Sequence, residues 1–505
     1  MTAPGARPTL SRRAAGILMH LTSLPGPHGI GDMGPQARCF AGFLASAGQT
    51  WWQMLPVNPA AAGNSPYTAY SAFAGEPCLV SLEGLAAEKL LEPGDLEPPK
   101  ALAAGRVRFG EARRFKDSRF RKAFEAFERS KDARRRERFE KFCSENDAWL
   151  SDYALFCALK RAHHGRWTDW PRELRSRQPS ALAAARRQHG PEIRYQQFLQ
   201  HLFHAQWTGL RERCRKLGLA LLGDAAIYVA HDSAEVWARP DLFFLDAEGR
   251  PTVVSGVPPD YFSKTGQLWG TPLYRWDAHR AEGYRWWIAR LKSSFERFDA
   301  VRLDHFIGFQ NYWEVPGSAR TAEKGRWVDG PKDALFEEAR RTLGPLEIIA
   351  EDLGCVTPEV AALRKRQGFP GMRVLQFAFG GDHGANEHLP HNCERACALY
   401  TGTHDNETTA AWFGRLPKAE REFALRYLGS DGKLIHWDMI RAAWMSVAGL
   451  AIAPVQDLLG AGDEARMNFP GTAEGNWEWR LEEGALTPKI AERLRLLTET
   501  YGRAP

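Results

Sequence analysis

The chain has 505 residues, 44% of them apolar and 25% charged, a balance that supports a large core and excludes a disordered or low-complexity protein. The longest uncharged apolar stretch, Ala442 to Val455, carries Pro454 and falls short of the about 20 residues that a membrane helix needs, so a soluble protein is expected. Net charge is +6, yet Arg106 to Lys141 alone holds 15 Lys and Arg against 7 Asp and Glu, so the basicity is local and gives no general argument for a nucleic-acid partner.

In chain order, Arg12 and Arg13 precede a short apolar run that breaks at His20 without a small-residue cleavage site, so no signal or transit peptide is expected. The run Gly16 to Met19 is the first of eight short β-type runs, and Trp51 to Leu55 before Pro56 is the second. The interval 58–218 is too long for one crossover and contains helical stretches such as Trp149 to Lys160; it reads as a helical insertion. Its basic part repeats Phe120, Phe124 and Phe127 at helical spacing, as an amphipathic helix with a solvated basic face would.

The third run, Leu219 to Leu222, leads to Asp224, and the following interval 230–275, rich in Pro, Gly and aromatics, reads as loops facing a substrate. A helix-period segment, Ala281 to Phe298, places Trp287, Leu291 and Phe295 on one face. The remaining runs are Ala300 to Leu303 before Asp304, Leu346 to Ala350 before Glu351, Arg373 to Phe377, Ala398 to Tyr400 before His404, and Leu450 to Ala453 before Gln456. A helical stretch, Pro358 to Arg366, lies between two of them. Strands alternating with helices imply parallel βαβ units. Eight such units, with chemistry gathered just after the strand ends, predict an α/β fold, a (β/α)8 TIM barrel with helical insertions, in one catalytic unit spanning 1–505.

Three motifs are set aside. Gly29 to Gly34 spells G-x-G-x-x-G, but no strand runs into it, Pro35 follows it and no acidic residue stands near position 54, so a dinucleotide site is not expected. Eight scattered cysteines, Cys39, Cys78, Cys143, Cys157, Cys214, Cys355, Cys393 and Cys397, contain no C-x-x-C pair and read as reduced cytoplasmic thiols. His388, His391, Cys393 and Cys397 are zinc-type ligands, but Pro390 interrupts them and a strand begins directly after. Neither H-x-H after the first strand nor H-E-x-x-H occurs, so no metal and no cofactor are expected.

Asp304, Glu351 and Asp405 stand at or just beyond three different strand ends, with Arg302, His305 and His404 beside them. Any one carboxylate there serves equally as a helix N-cap; three converging on one barrel face point to chemistry. Glycosidic cleavage needs one carboxylic acid to protonate the leaving oxygen and one carboxylate to attack or to activate water. The chain also has 18 Trp; most suit a core, and Trp269, in a Gly-rich loop, is the best candidate to stack on a sugar.

These residues, with Thr22 to Pro27, Gly29 to Gly34, Ser65-Pro-Tyr67, Gly223-Asp224, Ile227 to Ala230, Asp232 to Trp237, Gly256 to Phe262, Thr265 to Gly270, Ala465 to Asn468 and Gly475-Asn-Trp477, resemble the amylomaltases or disproportionating enzymes, the 4-α-glucanotransferases of glycoside hydrolase family 77. The likeness covers nearly the whole chain. It implies Asp304 as nucleophile, Glu351 as general acid/base and Asp405 as transition-state stabiliser. Arg302 and His404 would hold the reacting sugar, and Asp224, Tyr67, Gln267, Trp269 and His305 would line the subsites. The implied activity is transfer of an α-1,4-glucan segment to the 4-hydroxyl of glucose or another glucan, with maltooligosaccharides as partners and the cytoplasm as location. Hydrolysis of α-glucans is the closest alternative activity, and a catalytically dead glucan-binding protein the alternative outside enzymes. Ile307, Thr271 and Ala226 depart from the family's usual Arg, Asn and Pro.

Overall fold

Period-two alternation organises the molecule. In the strands Ala14–Leu18 (β1), Trp51–Gln53 (β2) and Ala220–Ala225 (β3), alternate residues such as Leu18, Trp51 and Leu222 pack into one apolar cluster, while Ile17, Trp52 and Leu221 pack into another. The first cluster fills the inside of a barrel; the second lies between the barrel and its helices. The structure, a computed structural model, describes residues 8–505 except 103–104, 260–262, 355, 382–383 and 473. Cys355 and the motif residues Asp260, Tyr261 and Phe262 lie outside the described residues.

The chain continues through Val253–Val257 (β4), Gln267–Pro272 (β5), Ala300–Leu303 (β6), Asn311–Pro316 (β7), Arg326–Asp329 (β8), Ile348–Ala350 (β9), Gly371–Val374 (β10), Cys397–Tyr400 (β11) and Leu450–Pro454 (β12). Eight strands form one parallel sheet in the order β10-β11-β12-β1-β2-β3-β6-β9. Its ends meet: the Ala350 amide donates to Pro370 O at 2.9 Å, and the Met372 amide to Asp352 Oδ1 at 2.7 Å. The result is the (β/α)8 barrel that the alternation of strands and helices predicted. Gly16 leaves room inside it, since a Cβ there would stand 2.6 Å from the Cβ of Trp51.

The strand ends shift by a few residues from the sequence reading, and three differences go further. The run Arg373 to Phe377 is strand only to Val374, where it pairs with Tyr400; Leu375–Phe377 turns as a 3-10 helix. The helix expected over Ala281 to Phe298 breaks at Gly283 and Tyr284, both at positive φ, into Trp276–Ala281 and Arg285–Arg297. The interval 230–275, read as loops, contains the helix Ala234–Ala238 and strands β4 and β5. These two strands join β7 and β8 in an antiparallel sheet, order β5-β4-β7-β8. Its partners arrive more than 50 residues later in the chain (β4 ends at Val257, β7 begins at Asn311), so local pattern gave no sign of it.

Between β2 and β3 the chain forms several helices, among them Phe109–Arg129, Ala133–Glu145, Asp147–His163 and Gly190–Lys216. On the basic helix Phe120 and Phe127 are buried and Phe124 packs on Tyr195 and Phe198. The same face buries a cation. Lys116 is 0% exposed, and its ammonium donates to Asp32 Oδ2 at 2.6 Å, Cys78 O at 2.7 Å and Val80 O at 2.9 Å. All three ammonium protons are thereby satisfied, as burial requires. Among the described residues no helix is long and apolar enough to cross a membrane.

Candidate active site

The inward rows of the barrel strands run on past the apolar layer and become polar. On β3 the row Ala220, Leu222 continues as Asp224; on β6 Ala300 is followed by Arg302 and, just past the strand, Asp304; after β9, Ile349 is followed by Glu351. All of these lie at the C-terminal ends of their strands, the face on which barrels of this kind place their chemistry.

Arg302 joins them. Its Nη1 donates to both oxygens of Asp224 and to Asp304 Oδ1, each at 2.9 Å, and its Nη2 stands 4.0 Å from Glu351 Oε2. Burial would lower the guanidinium's pKa, but Asp224, Asp304, Tyr67 and Glu351 hold it well above its ordinary value, so it stays cationic. Burial raises the Asp224 carboxyl against the pull of Arg302. Tyr67 also bonds Asp224, donating its hydroxyl to Oδ2 at 2.7 Å.

Burial pushes the Glu351 carboxyl up to about 7; Arg302 opposes the rise and Asp304 adds to it. Its two oxygens accept from the amides of His305 at 2.7 Å and Leu353 at 3.1 Å. His305 has φ +50°, a left-handed conformation uncommon outside glycine, and this turn brings its N–H onto the carboxylate. The His305 ring, held neutral by burial with its pKa lowered to about 4, meets the Trp269 indole edge to face at 4.7 Å. Trp269 is 39% exposed, the open aromatic surface of the cluster. Gln267 accepts from Trp269 Nε1 at 3.3 Å.

The third carboxylate sits across from these. Tyr67 stacks on the His404 ring at 5.2 Å, and His404 Nε2 lies 3.3 Å from Asp405 Oδ2. Asn468 donates to Asp405 Oδ1 at 2.7 Å and Arg466 to the Asp405 carbonyl at 2.9 Å. The loop carrying His404 and Asp405 is clipped at both ends by buried Asp457, which accepts from the Thr401 hydroxyl at 2.6 Å, the Thr409 amide at 2.9 Å and the Thr409 hydroxyl at 2.8 Å. Trp477, at φ +67°, packs beside Tyr67 and His404. Sequence reading did not single out Asp457, and met Arg466, Asn468 and Trp477 only within motifs. Arg466, Asn468 and Trp477 come from segments where neither helical nor strand period orders the pattern, and Asp457 from a five-residue helix, Val455–Leu459, too short to show one.

The zinc-type residues near β11 have other partners: His388 Nδ1 accepts from the Val374 amide at 3.1 Å, and His391 Nδ1 meets the Tyr427 hydroxyl at 2.8 Å. Among the described residues one group, His28, Asp32 and Glu83, has metal-type spacing. There the Lys116 ammonium already rests on Asp32.

Comparison with known proteins decides between the glucan-active readings. The profile of glycoside hydrolase family 77, described as 4-alpha-glucanotransferase, matches residues 19–487. The chain is 47% identical over 500 residues to the 4-alpha-glucanotransferase of Thermus thermophilus, covering 97% of this chain and 99% of that one. The chain belongs to the 4-alpha-glucanotransferase family. The chloroplastic/amyloplastic 4-alpha-glucanotransferase of Solanum tuberosum is 42% identical, with 97% of this chain and 87% of that one covered. Among solved structures, an amylomaltase from Streptococcus agalactiae in complex with acarbose superposes with a TM-score of 0.94 at 35% identity, covering 98% of this chain and 100% of that one. The enzyme is thus a glucanotransferase acting by transglycosylation on α-1,4-glucans.

The departures of this 4-α-glucanotransferase from the family pattern have local partners. Ile307 is buried in the core between barrel and helices. The Thr271 hydroxyl pairs with the Ser255 hydroxyl at 2.5 Å, tying β5 to β4 beside Trp269. The carbonyls of Ala226 and Ile227 both accept from the buried guanidinium of Arg290, which holds the backbone just beyond Asp224.

Proposed function

We propose that Asp304, Glu351 and Asp405 carry out a retaining double displacement on α-1,4-linked glucans. The observation that carries this is one guanidinium, Arg302, bonded to the Asp304 carboxylate while it faces a Glu351 whose carboxyl burial pushes up to about 7. Two neighbouring carboxyls are thereby given different roles by their surroundings.

Asp304 attacks C1 of the donor sugar as the C1–O4 bond breaks, and Glu351 gives its proton to the departing O4. The new C1–O ester on Asp304 is then attacked by the 4-hydroxyl of an acceptor, glucose or a maltooligosaccharide. The acceptor's proton passes to Glu351, the ester bond breaks, and both carboxyls return to their starting states. Two inversions at C1 give net retention. Asp405, oriented by Asn468 and the His404 loop, holds hydroxyls of the reacting ring as positive charge develops on it. Asp224, Tyr67, Arg302 and His404 enclose that ring, and Trp269, with Gln267 and His305, offers a stacking face to the next.

Free thiols at Cys39, Cys78, Cys143, Cys157, Cys214, Cys393 and Cys397 support a cytoplasmic location. Incubation with maltotriose tests the reading: it yields glucose and longer maltooligosaccharides, seen by product chromatography. Glucose and maltose with no longer chain would leave hydrolysis as the activity.

A further inference from the structure

A cleft of about 1160 Å³ opens on the flank of the barrel, between the helices Asp147–His163 and Gly190–Lys216 on one side and Ala234–Ala238 and Arg285–Arg297 on the other. Asp224, Arg302, Asp304, Glu351 and Asp405 do not line it. Its volume exceeds that of ordinary small-ligand pockets, about 300–1,000 Å³.

The lining narrows the class of occupant. As many carboxylates as Arg and Lys side chains face the cleft, so it has no net charge with which to recognise an anion or a cation. Several of these charges are already paired: Arg239 to Glu282 at 2.8 Å, Lys292 to Glu296 at 3.5 Å, and Arg211 to Asp299 at 2.8 Å. Paired guanidinium and carboxylate groups keep further donors and lone pairs free for neutral hydroxyls. Half-buried Trp149 provides an aromatic wall, stacked on Phe73 at 6.4 Å and 16°, with Trp286 edge-on to Phe73 at 6.0 Å. A neutral ligand rich in hydroxyls, with apolar C–H faces, matches this combination.

We propose that the cleft is a second carbohydrate site that binds a segment of α-1,4-glucan away from the reacting centre. The proposal rests on the glucanotransferase reading, which supplies a polymeric substrate with segments to spare beyond the catalytic cleft. Polymer held there raises the effective concentration of chain ends at the active site, whereas a trisaccharide gains nothing from it.

The test uses Ala148 and Ala289, small exposed residues on opposite walls. Ala148→Leu with Ala289→Leu narrows the cleft from both walls without removing a contact and keeps good helix formers on both helices. In a Glu351→Gln background, which turns over slowly, calorimetric titration with maltoheptaose shows two classes of site, and the Leu pair abolishes one of them. In the otherwise unaltered enzyme the Leu pair leaves maltotriose disproportionation unchanged and raises KM for amylose about three- to tenfold, the scale of one lost aromatic contact. Trp149→Ala gives the same selective loss. A single class of maltoheptaose site, or two classes that both survive the Leu pair, overturns the second site while leaving the function intact. Absence of longer products from maltotriose in the unaltered enzyme would instead overturn the function.

Discussion

Replacing Glu351 with Gln removes a proton-binding site that the fold has displaced. Its carboxyl rises from 4.5 to about 7; at about 1.4 kcal/mol per pH unit this amounts to about 3 kcal/mol. The sign follows from proton counting. Between pH 4.5 and 7 the unfolded chain has lost this proton and the folded enzyme keeps it. The contribution to stability is therefore whole below 4.5 and is lost as pH rises to about 7. Glu351→Gln lacks this decline, so the variant gains about 3 kcal/mol on the wild type between pH 4.5 and 8. Urea unfolding of both proteins across that range measures the difference. The same proton governs catalysis: only the acid form protonates O4, so kcat/KM for maltotriose falls about tenfold per pH unit above about 7. A glucosyl fluoride donor needs little protonation, and with it the variant is insensitive to pH over that limb. Parallel stability curves for the two proteins, or a maltotriose profile flat to pH 9, would refute the argument.

Asp304→Asn keeps the shape of the nucleophile but cannot form the ester, so turnover is lost while maltotriose still binds; in Glu351→Gln treated with a fluoride donor, peptide mass spectrometry finds the sugar on the Asp304 peptide, and an adduct elsewhere would sink the assignment. Lys116→Met leaves Asp32 Oδ2 and the carbonyls of Cys78 and Val80 without their donor and costs about 3–5 kcal/mol, read as a lowered Tm; a loss below 1 kcal/mol would show that the buried ammonium matters little. Asp457→Ala removes the acceptors at both ends of the 401–409 loop, and kcat drops more than tenfold with KM for maltotriose little changed; an unaltered kcat would mean that the loop holds its shape without the clip.

The barrel was legible because eight short apolar runs, most ending on a polar residue, leave little other architecture. Asp304, Glu351 and Asp405 were legible because a carboxylate directly after an apolar run is conspicuous against it. The sheet β5-β4-β7-β8 was not, because β4 finds β7 only across the helix Arg285–Arg297 and the strand β6. Asp457 escaped notice for a different reason: one carboxylate in a short helix directly after β12 looks like any first-turn acidic residue until the fold brings Thr401 and Thr409 to it. The role of Lys116 was hidden inside a charge run whose other members are largely solvated. Composition shows the excess of cations and not which one is turned inward.

The inward rows that end in Asp224, Asp304 and Glu351 begin as ordinary barrel filling at Ala220, Ala300 and Ile349. Side chains in a strand alternate, so a slip of one residue between neighbouring strands would turn the filling outward and carry the carboxylates out of reach of Arg302 in the same movement. An incorrectly registered barrel is therefore also an inactive one. Any screen that retains glucan transfer thereby retains strand alignment, with no separate probe of folding, and tolerated changes in the barrel interior will be those that fill volume without shifting a strand.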